Sequence, residues 1–124
     1  MNSQNFILVE GISNKVAEFL VQKVSGFSDS DEYLRLDDKD RSSQGIVCGA
    51  LANYISRIYG EGDNKNSILD SGFNAIELLS AMQDSDVENL VVTEILENIH
   101  VDEYPGLIHH LGSKSKLLYE RWLE

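Results

Sequence analysis

One pair of residues, Glu97 and His100, has the spacing of a metal-ligand motif, Glu-x-x-His. Helical di-iron proteins use two copies of this motif together with two further glutamates on facing helices. The chain contains no second copy, so we interpret His100 as a surface side chain at the end of a helix. His109 and His110 cannot easily chelate one ion, because neighbouring helical residues point in directions about 100° apart. The sequence therefore predicts no metal site.

Other reactive side chains also fit structural roles. Cys48, the single cysteine, lies among small apolar residues, which indicates a buried core thiol rather than a nucleophile. The stretch that begins at Asp38 resembles the start of a calcium loop, but its sixth position is Ser43 and its twelfth is Gly49, where glycine and glutamate are required. The sequence contains no phosphate loop, nucleophile elbow or dinucleotide fingerprint. We therefore predict a protein that is not an enzyme and needs no cofactor.

The net charge is concentrated in one third of the chain. The whole chain carries 21 acidic and 10 basic residues, a net charge of −11. Residues 61–103 hold eleven acidic residues and one basic residue, Lys65, which accounts for −10 of that total. Solubility alone does not require such a concentration. The acidic third is expected to attract basic partners and to repel nucleic acid and anionic membranes.

Hydrophobic periodicity predicts an all-α protein. Apolar residues recur at three- and four-residue spacings, and no segment shows the sustained alternation of a strand. A chain of 124 residues buries enough surface to fold without metals or disulfides, so we expect residues 1–124 to form a single compact domain of about five to seven helices. The predicted helices cover residues 13–25, 30–36, 42–59, 71–82, 85–100, 105–111 and 113–124. For residues 1–12, a short strand and an extra helical turn both remain open.

The segment 85–100 is expected to be the central helix. Ser85 and Glu88 have the spacing of a capping box, which would start it. Seven apolar residues cover more than half of its circumference: Val87, Leu90, Val91, Val92, Ile95, Leu96 and Ile99. A narrow polar stripe lies opposite: Asp86, Asn89, Thr93 and Glu97. Glu94 falls inside the apolar arc, so either its head reaches solvent, Arg57 or Arg121, or its surface is covered only in a complex.

Two further packing features are predicted. Gly45, Gly49, Ala52 and Ser56 form a stripe of small residues along the helix at 42–59, which would let another helix approach closely. Trp122 is expected to pin the end of the chain to the core.

The C-terminal half of the sequence has a recognisable pattern. Residues 71–100, SGFNAIELLSAMQDSDVENLVVTEILENIH, and 107–124, LIHHLGSKSKLLYERWLE, contain Phe-Asn-x-Ile-Glu-Leu-Leu, an Asp-rich turn, a Val/Leu-rich helix ending in Leu-Glu-Asn, then Leu-Gly and a terminal Trp. This pattern resembles small helical immunity proteins of bacterial polymorphic toxin systems, including contact-dependent growth inhibition. It covers residues 71–124, and the N-terminal half shows no comparable likeness.

The resemblance implies a cytoplasmic inhibitor that binds the C-terminal domain of its cognate toxin and blocks the active site. Many such toxins are ribonucleases with basic clefts, and an endoribonuclease of the EndoU type that cleaves tRNA is the further expectation. We therefore predict a 1:1 complex with a basic toxin nuclease domain, and no nucleic-acid, membrane or small-molecule partner. The alternative is an acidic helical adaptor or regulatory module that has no toxin partner and binds through an exposed apolar groove.

Carboxylates are the side chains expected to contact the toxin, because they can occupy the positions of RNA phosphates and pair with Lys, Arg and His of a cleft. The candidate partner-binding residues form two groups. The first lies in or beside the central helix: Asp84, Asp86, Glu94 and Glu97. The second lies in an acidic loop: Asp37, Asp38 and Asp40.

Overall fold

The computed structural model describes residues 12–62 and 65–124, and all regular structure in these residues is helical. The seven α-helices are α1 (Val16–Lys23), α2 (Asp31–Leu34), α3 (Asp38–Arg41), α4 (Gln44–Glu61), α5 (Asn66–Ser80), α6 (Ser85–Leu90) and α7 (Ser113–Trp122). Short 3-10 segments occur at Ile12–Asn14, Phe27–Asp29 and Pro105–His110. The predicted all-α class and single compact domain are confirmed. The short strand and the extra helical turn that remained open for residues 1–12 concern residues outside the described part of the chain, apart from Ile12, which lies in the first 3-10 segment.

The core forms where α1, α4, α5 and the helix that begins at Ser85 pack together. The apolar faces predicted for α1 and α4 are buried, and Phe19, Leu20, Leu51 and Ile55 are fully shielded from solvent. Each such side chain contributes about 1.5–3 kcal/mol when it leaves water. The long helix α4 packs against α1, α2, α3, α5 and the helix that begins at Ser85, while α7 packs against α5 and the end of that last helix.

Helix α6 continues directly into a π-helix at Val91–Leu96. The backbone N–H of Glu97 donates to the carbonyl of Val92, five residues earlier, at 3.0 Å. The side-chain amide of Asn98 then donates to the Glu94 carbonyl at 2.9 Å. Glu94 in this turn is half-buried, in agreement with its predicted place inside the apolar arc. The regular helix ends at Leu96, four residues before the predicted end.

The start of α6 corrects one prediction. Asp84 is the N-cap, and its Oδ1 accepts hydrogen bonds from the N–H groups of Asp86 at 2.9 Å and Val87 at 3.0 Å. The predicted capping box of Ser85 and Glu88 is wrong, because Ser85 already lies in the first helical turn. Aspartate caps a helix as well as serine does, and the sequence offered both.

The start of α5 also differs from the prediction. The helix begins at Asn66 rather than at residue 71, and its extra first turn buries Leu69. Leu78, which could have pointed inward, is instead among the exposed large apolar residues.

Glu77 of α5 anchors the N-terminus of α7. Its carboxylate accepts hydrogen bonds from the N–H groups of Lys114 at 2.7 Å and Ser115 at 2.9 Å, and from the Ser115 hydroxyl at 3.0 Å. Burial alone would raise the pKa of Glu77, but these hydrogen bonds outweigh burial and lower it. The N-cap position of α7 is Gly112, which has no side chain to make a capping bond. The cap of α7 is therefore supplied by another helix.

The C-terminal end of α7 corrects a second prediction. Trp122 is 58% exposed, so it does not pin the chain end to the core. Leu118 is buried and Leu123 is partly buried against the core, and these two residues hold the end of α7 instead.

Candidate protein-binding surface

The acidic third of the chain presents its charge at the surface. Ten of its eleven acidic residues fall in the described part of the chain, and six of these are exposed: Glu61, Asp70, Asp86, Glu97, Asp102 and Glu103. Arg57 and Lys65 both pair with Glu61. Asp86 and Glu97 form no ion pair with any described residue. Their charges are therefore available to an external partner.

The predicted polar stripe of the central helix is confirmed, and we call it the α6 face: Asp86, Asn89, Thr93 and Glu97. Three of these side chains are exposed and Thr93 is half-buried. The Thr93 hydroxyl donates to the carbonyl of Asn89 at 2.7 Å, so its hydrogen-bonding capacity is used within the helix itself. Asp86 and Glu97 are eleven residues apart, which corresponds to roughly 16 Å along the axis at 1.5 Å per residue.

Trp122 lies beside the α6 face. Its ring lines a shallow groove of about 200 Å³ together with Glu88, Asn89, Val92 and Thr93. Tryptophan is the residue most enriched among the side chains that dominate binding energy at protein interfaces. The surface therefore combines an exposed apolar ring at Trp122 with the charges of Asp86 and Glu97 on the same helical face.

A larger pocket of about 490 Å³ opens at the C-terminal end of the π-helix, between residues 96–103 and the end of α7. His100 shapes one of its walls through three contacts. Its backbone N–H donates to the hydroxyl of buried Ser56 at 3.0 Å, and its Nε2 lies 3.1 Å from Oδ1 of Asn53. Its Nδ1 lies 3.7 Å from a carboxylate oxygen of Glu103. These contacts fasten the segment after the π-helix to α4.

Glu94 packs against the first turn of α4. A Cβ atom on Gly45 would lie 3.4 Å from the carboxyl carbon of Glu94, an ordinary contact distance, so this contact does not require glycine. The predicted close approach along the stripe of small residues is not found at Gly49, where nothing lies within 4 Å of an added Cβ atom. The backbone does approach at Ser56, whose hydroxyl accepts the N–H of His100. Arg57 does not reach Glu94, because it pairs with Glu32 and Glu61. Arg121 forms no ion pair with Glu94 among the described residues.

Cys48 lies beside Glu94. Burial, with a smaller contribution from the Glu94 charge, raises the pKa of the Cys48 thiol to about 12. The thiol therefore stays protonated and inert at neutral pH.

Two of the candidate binding residues are helix caps. Asp84 caps α6, and Asp37 caps α3 by accepting the N–H of Asp40 at 2.8 Å. Asp38 is exposed and Asp40 is half-buried on α3. Glu94 packs beside Gly45, four residues after α3 ends, so this one member of the first group lies near the second group at the start of α4. Only Asp38, Asp86 and Glu97 combine full exposure with no capping role.

Sequence reasoning missed the two contributions of α7 to this surface. Trp122 lies four residues after the buried Leu118, so helical periodicity places both on the same apolar face. The local sequence does not show that a residue in the last turn of the helix faces solvent. The partner of Glu77 lies 36 to 38 residues further along the chain, where no spacing rule can find it. Asp102 and Glu103 could have been named as candidate binding residues from sequence, because they fall within the acidic third of the chain.

Comparison with protein-family models, with curated proteins and with solved structures finds no match to this chain. In the described residues, no three His, Cys, Asp or Glu side chains are grouped so that they could hold a metal ion. No helix of residues 12–62 or 65–124 is long and apolar enough to cross a bilayer.

Proposed function

We propose that this protein is an immunity-type inhibitor that binds a basic nuclease toxin domain and covers its active-site cleft with the α6 face. The observation that carries the proposal is that the α6 face has two exposed carboxylates without ion pairs, Asp86 and Glu97, and that the exposed Trp122 lies beside Asn89 and Thr93 between them. The resemblance of residues 71–124 to immunity proteins of contact-dependent growth inhibition supports the same proposal.

The physical basis is competition with the phosphates of a nucleic-acid substrate. A nuclease cleft binds phosphates through Lys, Arg and His, and carboxylates can accept the same charge-assisted hydrogen bonds. Asp86 and Glu97 meet this requirement because neither is neutralised within the chain. Opposite charges also steer the two proteins together and raise the association rate, which helps an inhibitor to compete with cellular RNA.

The structure narrows the residues expected to contact the toxin. Asp84 is removed from the set, because reversing its charge would also remove the cap of α6. Asp86, Glu97 and Trp122 become the primary contacts. Asp38 belongs to a second acidic surface on α3, which would extend the interface towards the N-terminal end of α4.

The proposal is tested by cloning the gene immediately upstream and expressing the C-terminal domain of its product with and without this protein. We expect a basic domain that is toxic alone, cleaves RNA with tRNA as the expected target, and is neutralised in a 1:1 complex. A non-toxic domain, or toxicity that persists on co-expression, contradicts the proposal.

The interface is tested by Asp86→Lys and Glu97→Lys, with Glu18→Lys and Asp70→Lys as exposed controls outside the α6 face. Equal loss of protection in both pairs contradicts the assignment of the interface.

A second candidate function is the acidic adaptor, and the exposed Trp122 groove favours it. An adaptor would bind an apolar peptide segment in this groove, with the charges contributing only solubility. Its binding would be lost in Trp122→Ala but would change little with salt. The inhibitor would lose association rate as salt rises, because exposed charges are screened within about 10 Å at 0.1 M ionic strength.

A further inference from the structure

We propose that the pocket at the end of the π-helix receives one arginine side chain of the partner protein. We call it the arginine pocket, and its nine lining residues are Leu96, Glu97, Ile99, His100, Val101, Asp102, Glu103, Tyr119 and Leu123. The proposal rests on the proposed function only for the identity of the protein that carries the arginine.

The lining combines an apolar floor with an acidic rim. Leu96 and Ile99 are buried and form the inner part, while the carboxylates of Glu97, Asp102 and Glu103 are exposed at the edge. No lysine or arginine lines the pocket. A ligand that fits it must therefore have an apolar stem and a positively charged head.

Two of the three rim carboxylates are free to bind a cation. Glu103 lies 3.7 Å from His100 Nδ1 and also interacts with the hydroxyl of Tyr104. Glu97 and Asp102 form no ion pair with any described residue. Each free carboxylate beside the pocket can accept charge-assisted hydrogen bonds from the N–H groups of a guanidinium group.

Arginine fits this lining better than lysine does. Its alkyl stem can lie on the apolar floor while its charged head stays at the polar edge. Its planar head can stack on the ring of Tyr119, where a cation–π contact adds to the ion pairs. The lysine ammonium is compact and strongly hydrated, so it gains less from a flat ring and from paired carboxylates.

The pocket also extends the α6 face. Glu97 belongs to both, so a partner seated on the α6 face could place an arginine in the pocket without moving. A buried anchor at the edge of a charged surface fixes the register of a complex, which charge steering alone cannot do.

The test uses the free protein and needs no toxin. The probe is N-acetyl-arginine amide, titrated into isotope-labelled protein while amide chemical shifts are recorded. The neutral control is the corresponding citrulline amide, which has the same shape without the charge. We expect saturable shifts at residues 97–103 with the arginine probe and none with citrulline. Equal shifts from both probes, or shifts spread evenly over all acidic segments, overturn the proposal.

Variants sharpen the assignment. Glu97→Gln and Asp102→Asn should each weaken binding of the arginine probe about twofold to fivefold, as expected for one exposed ion pair. The matched controls Glu18→Gln and Asp70→Asn remove the same charge elsewhere and should leave the affinity unchanged. Equal weakening in all four variants would show a general charge effect and overturn the pocket. A lysine analogue that binds as tightly as the arginine probe overturns the choice of arginine.

Failure of the pocket and failure of the proposed function are distinguishable. Selective arginine binding without any protection against the upstream toxin supports the pocket and contradicts only the inhibitor function. Protection and complex formation without arginine binding contradict only the pocket.

Discussion

Replacing Glu77 by alanine should destabilise the protein by about 2 kcal/mol, the upper range for loss of a helix N-cap. The carboxylate satisfies the N–H groups of Lys114 and Ser115 and the hydroxyl of fully buried Ser115. Removing it leaves these donors without their acceptor at the start of α7. For a chain of this size the melting temperature should fall by roughly 8 °C, at about 4 °C per kcal/mol.

Gly112 gives an independent way to perturb the same contact. A Cβ atom there would lie 2.5 Å from a carboxylate oxygen of Glu77, so Gly112→Ala must displace the cap. The backbone at Gly112 has a φ of −75°, which alanine adopts without strain. We therefore expect Gly112→Ala to cost about 1–2 kcal/mol in the native protein but less than about 0.5 kcal/mol in the Glu77→Ala background.

The assay is urea unfolding of the four proteins of this double-mutant cycle, with Glu120→Ala on the outer face of α7 as the control. We expect an interaction energy of about 1 kcal/mol between positions 77 and 112, and little change in the control. Additive effects of Glu77→Ala and Gly112→Ala would refute the capping role of Glu77.

The pH dependence of Glu77 supplies a further check. Its pKa in the folded protein is lowered, so the folded state favours the charged carboxylate. The native protein should be more stable than Glu77→Gln, and this difference should be complete at pH values above 4.5, the ordinary pKa of a glutamate. The difference should disappear as pH falls through the lowered pKa of Glu77 in the folded protein. An advantage that grows as the solution becomes more acidic would contradict this assignment.

Three other predictions concern single side chains. Trp122→Ala should change the free energy of unfolding by less than about 1 kcal/mol in urea, because the ring is mostly exposed. The same change should weaken binding of the toxin domain by about 2 kcal/mol in calorimetry. A large loss of stability with unchanged toxin binding would instead show that Trp122 has a structural role. Cys48 should react with a thiol reagent only as fast as the protein unfolds, since burial raises its pKa to about 12; rapid labelling of folded protein would contradict this. Arg57→Ala should cost no more than about 1 kcal/mol at low salt and less at high salt, because its ion pair with Glu32 is partly exposed. Burial would raise the pKa of Glu32, but Arg57 lowers it. The loss of stability caused by Arg57→Ala should therefore shrink as pH falls through that lowered pKa. A loss that stays the same in urea titrations at acidic pH would contradict a stabilising ion pair between Arg57 and Glu32.

The helical class and the main buried faces were predictable from sequence because they depend on local periodicity. On each of α1, α4 and α5 apolar residues recur three or four positions apart, and Phe19, Leu51 and Ile76, one from each helix, are fully buried as that spacing requires. The polar stripe of Asp86 and Glu97 was predictable for the same reason. A one-residue error at the cap of α6 arose because Asp84 and Ser85 are both good caps, and local sequence does not choose between them.

The features that sequence did not reveal depend on contacts between distant segments. The π-helix at Val91–Leu96 was not predicted, because ideal helical geometry cannot anticipate where such a turn will occur. The cap that Glu77 provides for α7 links two helices across 36 to 38 residues. The exposure of Trp122 follows from how that cap and Leu118 orient α7, so it became visible only in the assembled fold.

The most direct test of the acidic docking surface is the association rate with the upstream-encoded toxin domain, measured by stopped flow at increasing salt. For the native protein we expect an association rate that falls steeply as salt is added. The double variant that carries both Asp86→Lys and Glu97→Lys should associate more slowly, and its rate should depend less on salt. Glu18→Lys with Asp70→Lys should retain most of the native rate. A rate that does not depend on salt, or that falls equally in both double variants, would contradict the docking role of the α6 face.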